Sequence, residues 1–269
     1  MSQPTGREHT AGRSPVFLIV MACLGVAFFV VPLVGLLGRV PWVELPTLLS
    51  SEVVTEALRL SVIASVSSTA ISLLLGFPLA WMLARVEFPG RSMVRGIVTL
   101  PLVLPPVVAG AALLFALGRR GLIGEPLADA TGFVMPFSIW GVILATTFVA
   151  MPFLVITVEG ALRNMDQRFE GAAATLGASR WTVLRRVTMP MIGPSLLAGL
   201  MLSWARAFGE FGATITFAGN LQGGTQTLPL AVFIALESDR DVAVAISLVM
   251  VVVSLAVLIA LRDRWWRGV

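Results

Sequence analysis

Three places in this 269-residue chain carry residues whose types and spacing could do chemistry. Arg206 and Glu210 stand four positions apart inside an apolar stretch, the spacing at which side chains on one helix face meet. Charges in hydrocarbon are costly, so such a pair points to function or to mutual neutralisation. It could be an ion pair that stabilises packing, or it could line a water-filled route for an anion. Either way it must face protein or water, and Thr214 joins it as a candidate pathway or gate residue. Second, PLVLPP places Pro101, Pro105 and Pro106 at the head of another apolar run. Each proline removes a helix donor, and the freed carbonyls need neighbours or water. A bent helix lining a pathway and a simple packing kink both fit.

The third place is Glu170–Pro190, EGAAATLGASRWTVLRRVTMP, a polar stretch between two apolar ones. Asn164 or Asp166 can cap a helix through Glu170–Leu176. Glu170, Ala173, Ala174 and Gly177 share one face at i, i+3, i+4 and i+7, and small residues there let a partner backbone come close. Gly177 can end the helix in a left-handed turn. Arg180, Arg185 and Arg186 then fall near the membrane surface. The whole reads as a compact docking element.

These residues need a membrane frame. The chain is 57% hydrophobic and 13% charged, with recurrent apolar runs long enough for a hydrocarbon core of about 30 Å. The runs are continuous rather than alternating, so they are helices and not barrel strands. Six spans are predicted, near Val16–Leu37, Ala57–Leu83, Val94–Leu117, Ser138–Val158, Pro194–Ala218 and Ala243–Leu261. Residues 1–14 read as a disordered cytoplasmic tail and 15–269 as one membrane domain, with a cytoplasmic loop at about 159–193. The first span is too long for the apolar core of a signal peptide and is read as retained. Val40–Glu56, with Trp42 and two prolines, is expected along the outer interface.

All nineteen basic residues are arginine. Thirteen lie outside the spans on the side of the Glu170 loop and four (Arg39, Arg119, Arg120, Arg240) on the other, which puts both termini and that loop in the cytoplasm. Arg59 can snorkel to the interface, and Trp265 and Trp266 look like an interfacial anchor. The arginines sit between apolar spans, which argues for membrane orientation and against nucleic acid. Without lysine no P-loop can form, so any driving ATP must bind another chain. The lone Cys23 and lone His9 give no disulfide or metal framework. No catalytic centre, cofactor or metal is expected on this chain.

The Glu170 stretch resembles the cytoplasmic signature loop of ABC-importer permeases, EAA…G…I-x-L-P. Glu170, Ala172, Gly177 and Pro190 match, while Gly171, Val187 and Met189 stand where Ala, Ile and Leu are usual. The run GEFGAT, then FAGN, then TQTLPL, together with PLVLPPVVAG and GRRGLIG, is similar to the molybdate permeases among the type I importers over roughly residues 55–260. Sulfate permeases share the GE-aromatic-G core and AGN but more usually have Tyr at the position of Phe211.

The resemblance implies an all-α, six-helix type I importer permease in the bacterial inner membrane. It implies a coupling helix that inserts into a groove on the ATPase subunit, with Glu170, Gly171, Ala172, Ala173, Gly177 and Pro190 as its residues. Pro105, Pro106, Arg206, Glu210 and Thr214 become pathway or gate candidates. The outer tract GNLQGGTQTLP, with Asn220, Gly223, Thr225 and neighbouring Gln226, would face a binding protein. The implied assembly is a homodimer of this chain with two ATP-binding subunits, ATP and Mg on those subunits, and an extracytoplasmic molybdate-binding protein. The cargo would be molybdate or tungstate, with sulfate as the alternative. A secondary anion transporter using Arg206–Glu210 is a further rival, but it leaves the Glu170 loop unexplained.

Overall fold

A computed structural model describes residues 16–266, with side chains to 259. The N-terminal tail, His9 and the C-terminal Arg and Trp side chains lie outside the described residues. The order is α1 (Val16–Leu37), α2 (Leu45–Leu49), α3 (Glu52–Arg85), α4 (Arg91–Leu102), α5 (Pro106–Leu117), α6 (Gly124–Thr131), α7 (Ile139–Asn164), α8 (Arg168–Thr175), α9 (Arg180–Phe208), α10 (Gly212–Phe217), α11 (Leu228–Ser238) and α12 (Arg240–Trp266). No strand occurs among the described residues.

Among the described residues five helices are long and apolar enough to cross a membrane: α1, α3, α7, α9 and α12. Counting the bent pair α4 and α5 as one broken span gives six. The short α2 lies within the predicted interfacial stretch, and Trp42 and Val43 just before it are exposed.

Helix α7 is central, with 14 of its 26 residues buried. Its C-terminal half packs Leu154, Val155, Val158 and Leu162 against Ala80 and Leu83 of α3 and Ile192 of α9. Its N-terminal half packs Ala145 and Val149 against Ala109 and Leu113 of α5 and Ala213 and Phe217 of α10. A third cluster joins Val54 and Ala57 of α3, Phe208 of α9, Leu228 and Ala231 of α11 and Ile246 of α12. By contrast α1 buries nothing and presents its apolar sides outward, the pattern of a helix whose neighbours are lipid or another chain.

Two spans carry a π turn, at Ser72–Gly76 in α3 and Leu184–Thr188 in α9. Each ends two residues before a proline, Pro78 or Pro190. A proline lacks the N–H for the i−4 bond and its ring crowds that carbonyl, so the ladder just above it slackens.

Two predicted spans are not continuous helices. The third breaks at Val103–Pro105, and its halves diverge by 116°. Leu104 and Pro105 each precede a proline and are pushed toward extended backbone, and Pro105 sits at φ −54°, ψ 133°. This is a break between two helices rather than the expected bend within one. The fifth ends at Phe208, and Gly212–Phe217 is a separate short helix. The apolar sequence on both sides of Gly209 hides that break.

Candidate functional site

The two breaks lie against each other. A Cβ added at Gly212 would meet Pro106 Cβ at 2.8 Å, and one at Gly110 would meet the Ala213 carbonyl at 2.7 Å. Glycine alone permits this approach of α10 to α5. Pro106 is thus placed at the contact between the two broken elements, with Pro105 just before it. Thr214 is fully buried on α10, and its hydroxyl has no protein partner.

Arg206 and Glu210 form an ion pair at this joint. Glu210 is not inside a helix with Arg206, as the apolar run suggested; it lies just past the end of α9. Its Oε1 accepts the Ala213 N–H at 2.7 Å and so caps α10, while Oε2 faces Arg206. The arginine in the last turn of α9 and the carboxylate at the start of α10 each complement a helix dipole. With both carboxylate oxygens engaged and Glu210 only 1% exposed, the geometry supports a structural joint over an open anion site.

At the C-terminal end of α7, Asp166 Oδ1 accepts the Arg168 N–H at 2.9 Å and starts α8, while Asn164 ends α7. The exit is a Schellman motif. Gly177 sits at φ +82°, its N–H donates to Ala174 O, and the Ala178 N–H donates to Ala173 O. The expected common face divides. Glu170 turns toward the chain's own membrane helices, and with Gln167, Gly171, Ala174 and Ala178 it borders a cavity of about 640 Å³ that also meets Trp81 and Trp181. The outward side instead shows Phe169 (56% exposed) and Leu176 (89%), with Ala172 between them. Ala173 is half-buried, and Pro190 begins the apolar part of α9.

Glu170 is held twice. Its Oε2 lies 3.2 Å from Arg85 Nη2, and its Oε1 accepts the Thr188 hydroxyl at 2.6 Å. Beside it, Arg95 donates to Glu159 Oε1 from Nε at 2.9 Å and from Nη2 at 2.5 Å, with Arg163 3.7 Å away. Arg91 Nε donates to Leu83 O at 2.8 Å, which satisfies a carbonyl at the end of α3. These ties secure the start of α4 to α3 and α7.

Sequence reasoning missed Arg85, Arg95, Glu159 and Thr188. The Glu159/Arg163 spacing was legible, but the predicted fourth span stopped one residue short of it. A serine row at 61, 65, 68 and 72 on α3 was legible too, and all four are buried.

The tract at 219–229 is more buried than the surface turn its composition suggested. Asn220 is half-buried and Gly223 exposed, but Thr225, Gln226 and Thr227 are buried. Thr225 Oγ1 accepts the Leu221 N–H, and the Leu228 N–H donates to Ser61 Oγ at 2.7 Å, so the tract folds back onto α3. Backbone donors next to apolar helices must find partners, and the serine supplies one.

The family model described as "binding-protein-dependent transport system inner membrane component" matches residues 73–266. The chain belongs to this family. The permease is 45% identical to the molybdenum transport system permease protein ModB of Mycobacterium tuberculosis (strain ATCC 25618 / H37Rv), over 95% of this chain and 97% of that one. It is 40% identical to ModB of Escherichia coli (strain K12), over 78% and 92%. With the sulfate transport system permease protein CysT of Escherichia coli (strain K12) it shares 32%, over 93% and 92%. A bacterial ABC transporter that imports the polysaccharide alginate has the same fold, at TM-score 0.71, 21% identity and coverage of 93% and 95%. So has the MetNI methionine ABC transporter, at TM-score 0.62 and 16%, over 81% and 96%. The permease therefore has the all-α, multi-pass fold of ABC importer permeases.

Proposed function

We propose that this permease carries molybdate, or the similar tungstate, into the cytoplasm as the membrane subunit of an ABC importer. The carrying observation is the 45% identity, over nearly the whole of both chains, to a permease named for molybdenum transport. The sulfate relative matches a similar length at 32%, which keeps sulfate as the second reading.

ATP and Mg belong to separate subunits in this reading, because a chain without lysine holds no P-loop. One loop of the Glu170 type per chain, set against two nucleotide-binding subunits, calls for a homodimer, and α1, which buries none of its residues, offers apolar surface for lipid or the second copy. An extracytoplasmic binding protein would select the anion and meet the outer surface near Asn220 and Gly223. Both termini and α8 face the cytoplasm of a bacterial cell, following the arginine bias. A path that releases its cargo must not hold it tightly, and the engaged Arg206–Glu210 pair fits that requirement.

The test is uptake by the full complex in vesicles. Labelled molybdate should enter in the presence of a large excess of sulfate and be displaced by unlabelled tungstate. Sulfate that competes as well as tungstate would transfer the assignment to sulfate.

A further inference from the structure

We propose that Arg85 and Thr188 are positioning residues that bind the loop helix α8, through the single carboxylate of Glu170, to both membrane helices that contain a π turn. This rests on the reading of α8 as the contact for the ATPase subunit.

Packing alone holds α8 weakly. None of its residues is buried, and the cavity of about 640 Å³ opens between it and the ends of α3 and α9. The polar junction is therefore the main tie. Arg85 is the last residue of α3 and Thr188 the last of the π turn in α9. They reach different oxygens of the same carboxylate.

The arginine depends on that carboxylate. Its side chain is 10% exposed, and its three nitrogens are buried without a well-aligned hydrogen-bond acceptor. Glu170 is the one acid within 4 Å of it among the described residues. Drawing α8 away would part the guanidinium from that carboxylate and leave only the water of the adjoining cavity to replace it. Thr188 is buried as well, and its hydroxyl would lose its charged acceptor.

The junction addresses two weak points. A π turn is a local slackening of the helix ladder where bending or a register shift is easiest. The nine-residue helical segment Phe77–Arg85 connects the junction to the π turn at Ser72–Gly76. Thr188 itself closes the π turn at Leu184–Thr188. A displacement of α8 is thus delivered to α3 and α9 together, at the places where each can yield. Arg85 transmits through a short rigid lever, and Thr188 acts at the hinge directly.

The experiment uses the full complex in vesicles, with anion taken up per ATP hydrolysed as the readout. Arg85→Ala should retain the ATPase subunits yet lower this ratio roughly five-fold, the low end of ordinary coupling effects. Thr188→Val should lower it by a smaller factor, and Arg85→Lys should restore most of the loss. In the purified chain, amide exchange across residues 168–176 should quicken roughly ten-fold in Arg85→Ala and in Glu170→Gln. An unchanged ratio with unchanged exchange overturns the junction. So does a parallel fall of uptake and hydrolysis at constant ratio, which would mean that the residues only hold the fold. If the unmodified permease fails to retain the ATPase subunits, the coupling reading beneath the proposal is what falls.

Discussion

Glu170 and Glu210 use the same chemistry in different regions. Each carboxylate meets an arginine on one oxygen and a hydrogen-bond donor on the other. At Glu210 everything is local: the arginine stands four residues before and the donor N–H three residues after. At Glu170 the partners come from two other helices, Arg85 at the end of α3 and Thr188 at the π turn of α9. Local neutralisation lets one chain segment break inside the membrane without stranding a charge or an amide. Long-range neutralisation instead ties three elements to one carboxylate. The first arrangement is expected to govern stability and the second transmission.

The sharpest break of this comparison is Glu210→Ala. It strands Arg206 and uncaps α10 in a site only 1% exposed, and it should cost about 3–5 kcal/mol in stability. Thermal unfolding in detergent reads this. Adding Arg206→Ala should recover part of the loss, because no charge is then left alone. A large drop in uptake by Arg206→Ala at unchanged stability would instead put the pair on the anion route.

Glu170→Ala should cost less, about 1–3 kcal/mol, since its side chain is 23% exposed and water can partly replace the lost partner. Uptake should fall further than that loss of stability explains. If Glu170→Ala destabilises as much as Glu210→Ala while uptake merely tracks folding, the contrast between the two regions disappears.

The smallest effect is expected at Gly177. A Cβ there meets open space, but φ is +82°, so Gly177→Ala should cost only about 1 kcal/mol of left-handed strain. Faster amide exchange confined to α8 and the turn after it would show this. A global loss of stability would mean that the turn supports more than the end of α8.

Much of the architecture was legible because its causes are local. Apolar length alone located the five long helices and the bent pair. PLVLPP announced a disruption, because proline acts on its own carbonyl and on the residue before it. The order Asp166, small residues, Gly177 spelled a capped helix with a glycine exit. Illegible were the features whose causes lie elsewhere in the chain. The break after Gly209 has apolar residues on both sides, and it exists because Gly212 must pass close to Pro106 and because Glu210 can cap α10. The Gly-rich tract at 219–229 has the composition of a surface turn, yet Ser61 offers its backbone a partner and Thr225–Thr227 go inside.

Composition, periodicity and arginine bias thus specify what enters the membrane and which end is expected to face the cytoplasm, since each residue's preference for water or hydrocarbon is its own. The choice of partner for a charge is not a property of the residue. Arg85, Arg91 and Arg95 look alike along the chain. One holds the Glu170 carboxylate, one satisfies the carbonyl end of α3, and one clasps Glu159. Packing around α7 makes that division by bringing each guanidinium within reach of a different acceptor, and an ion pair acts only over the few ångströms that packing sets.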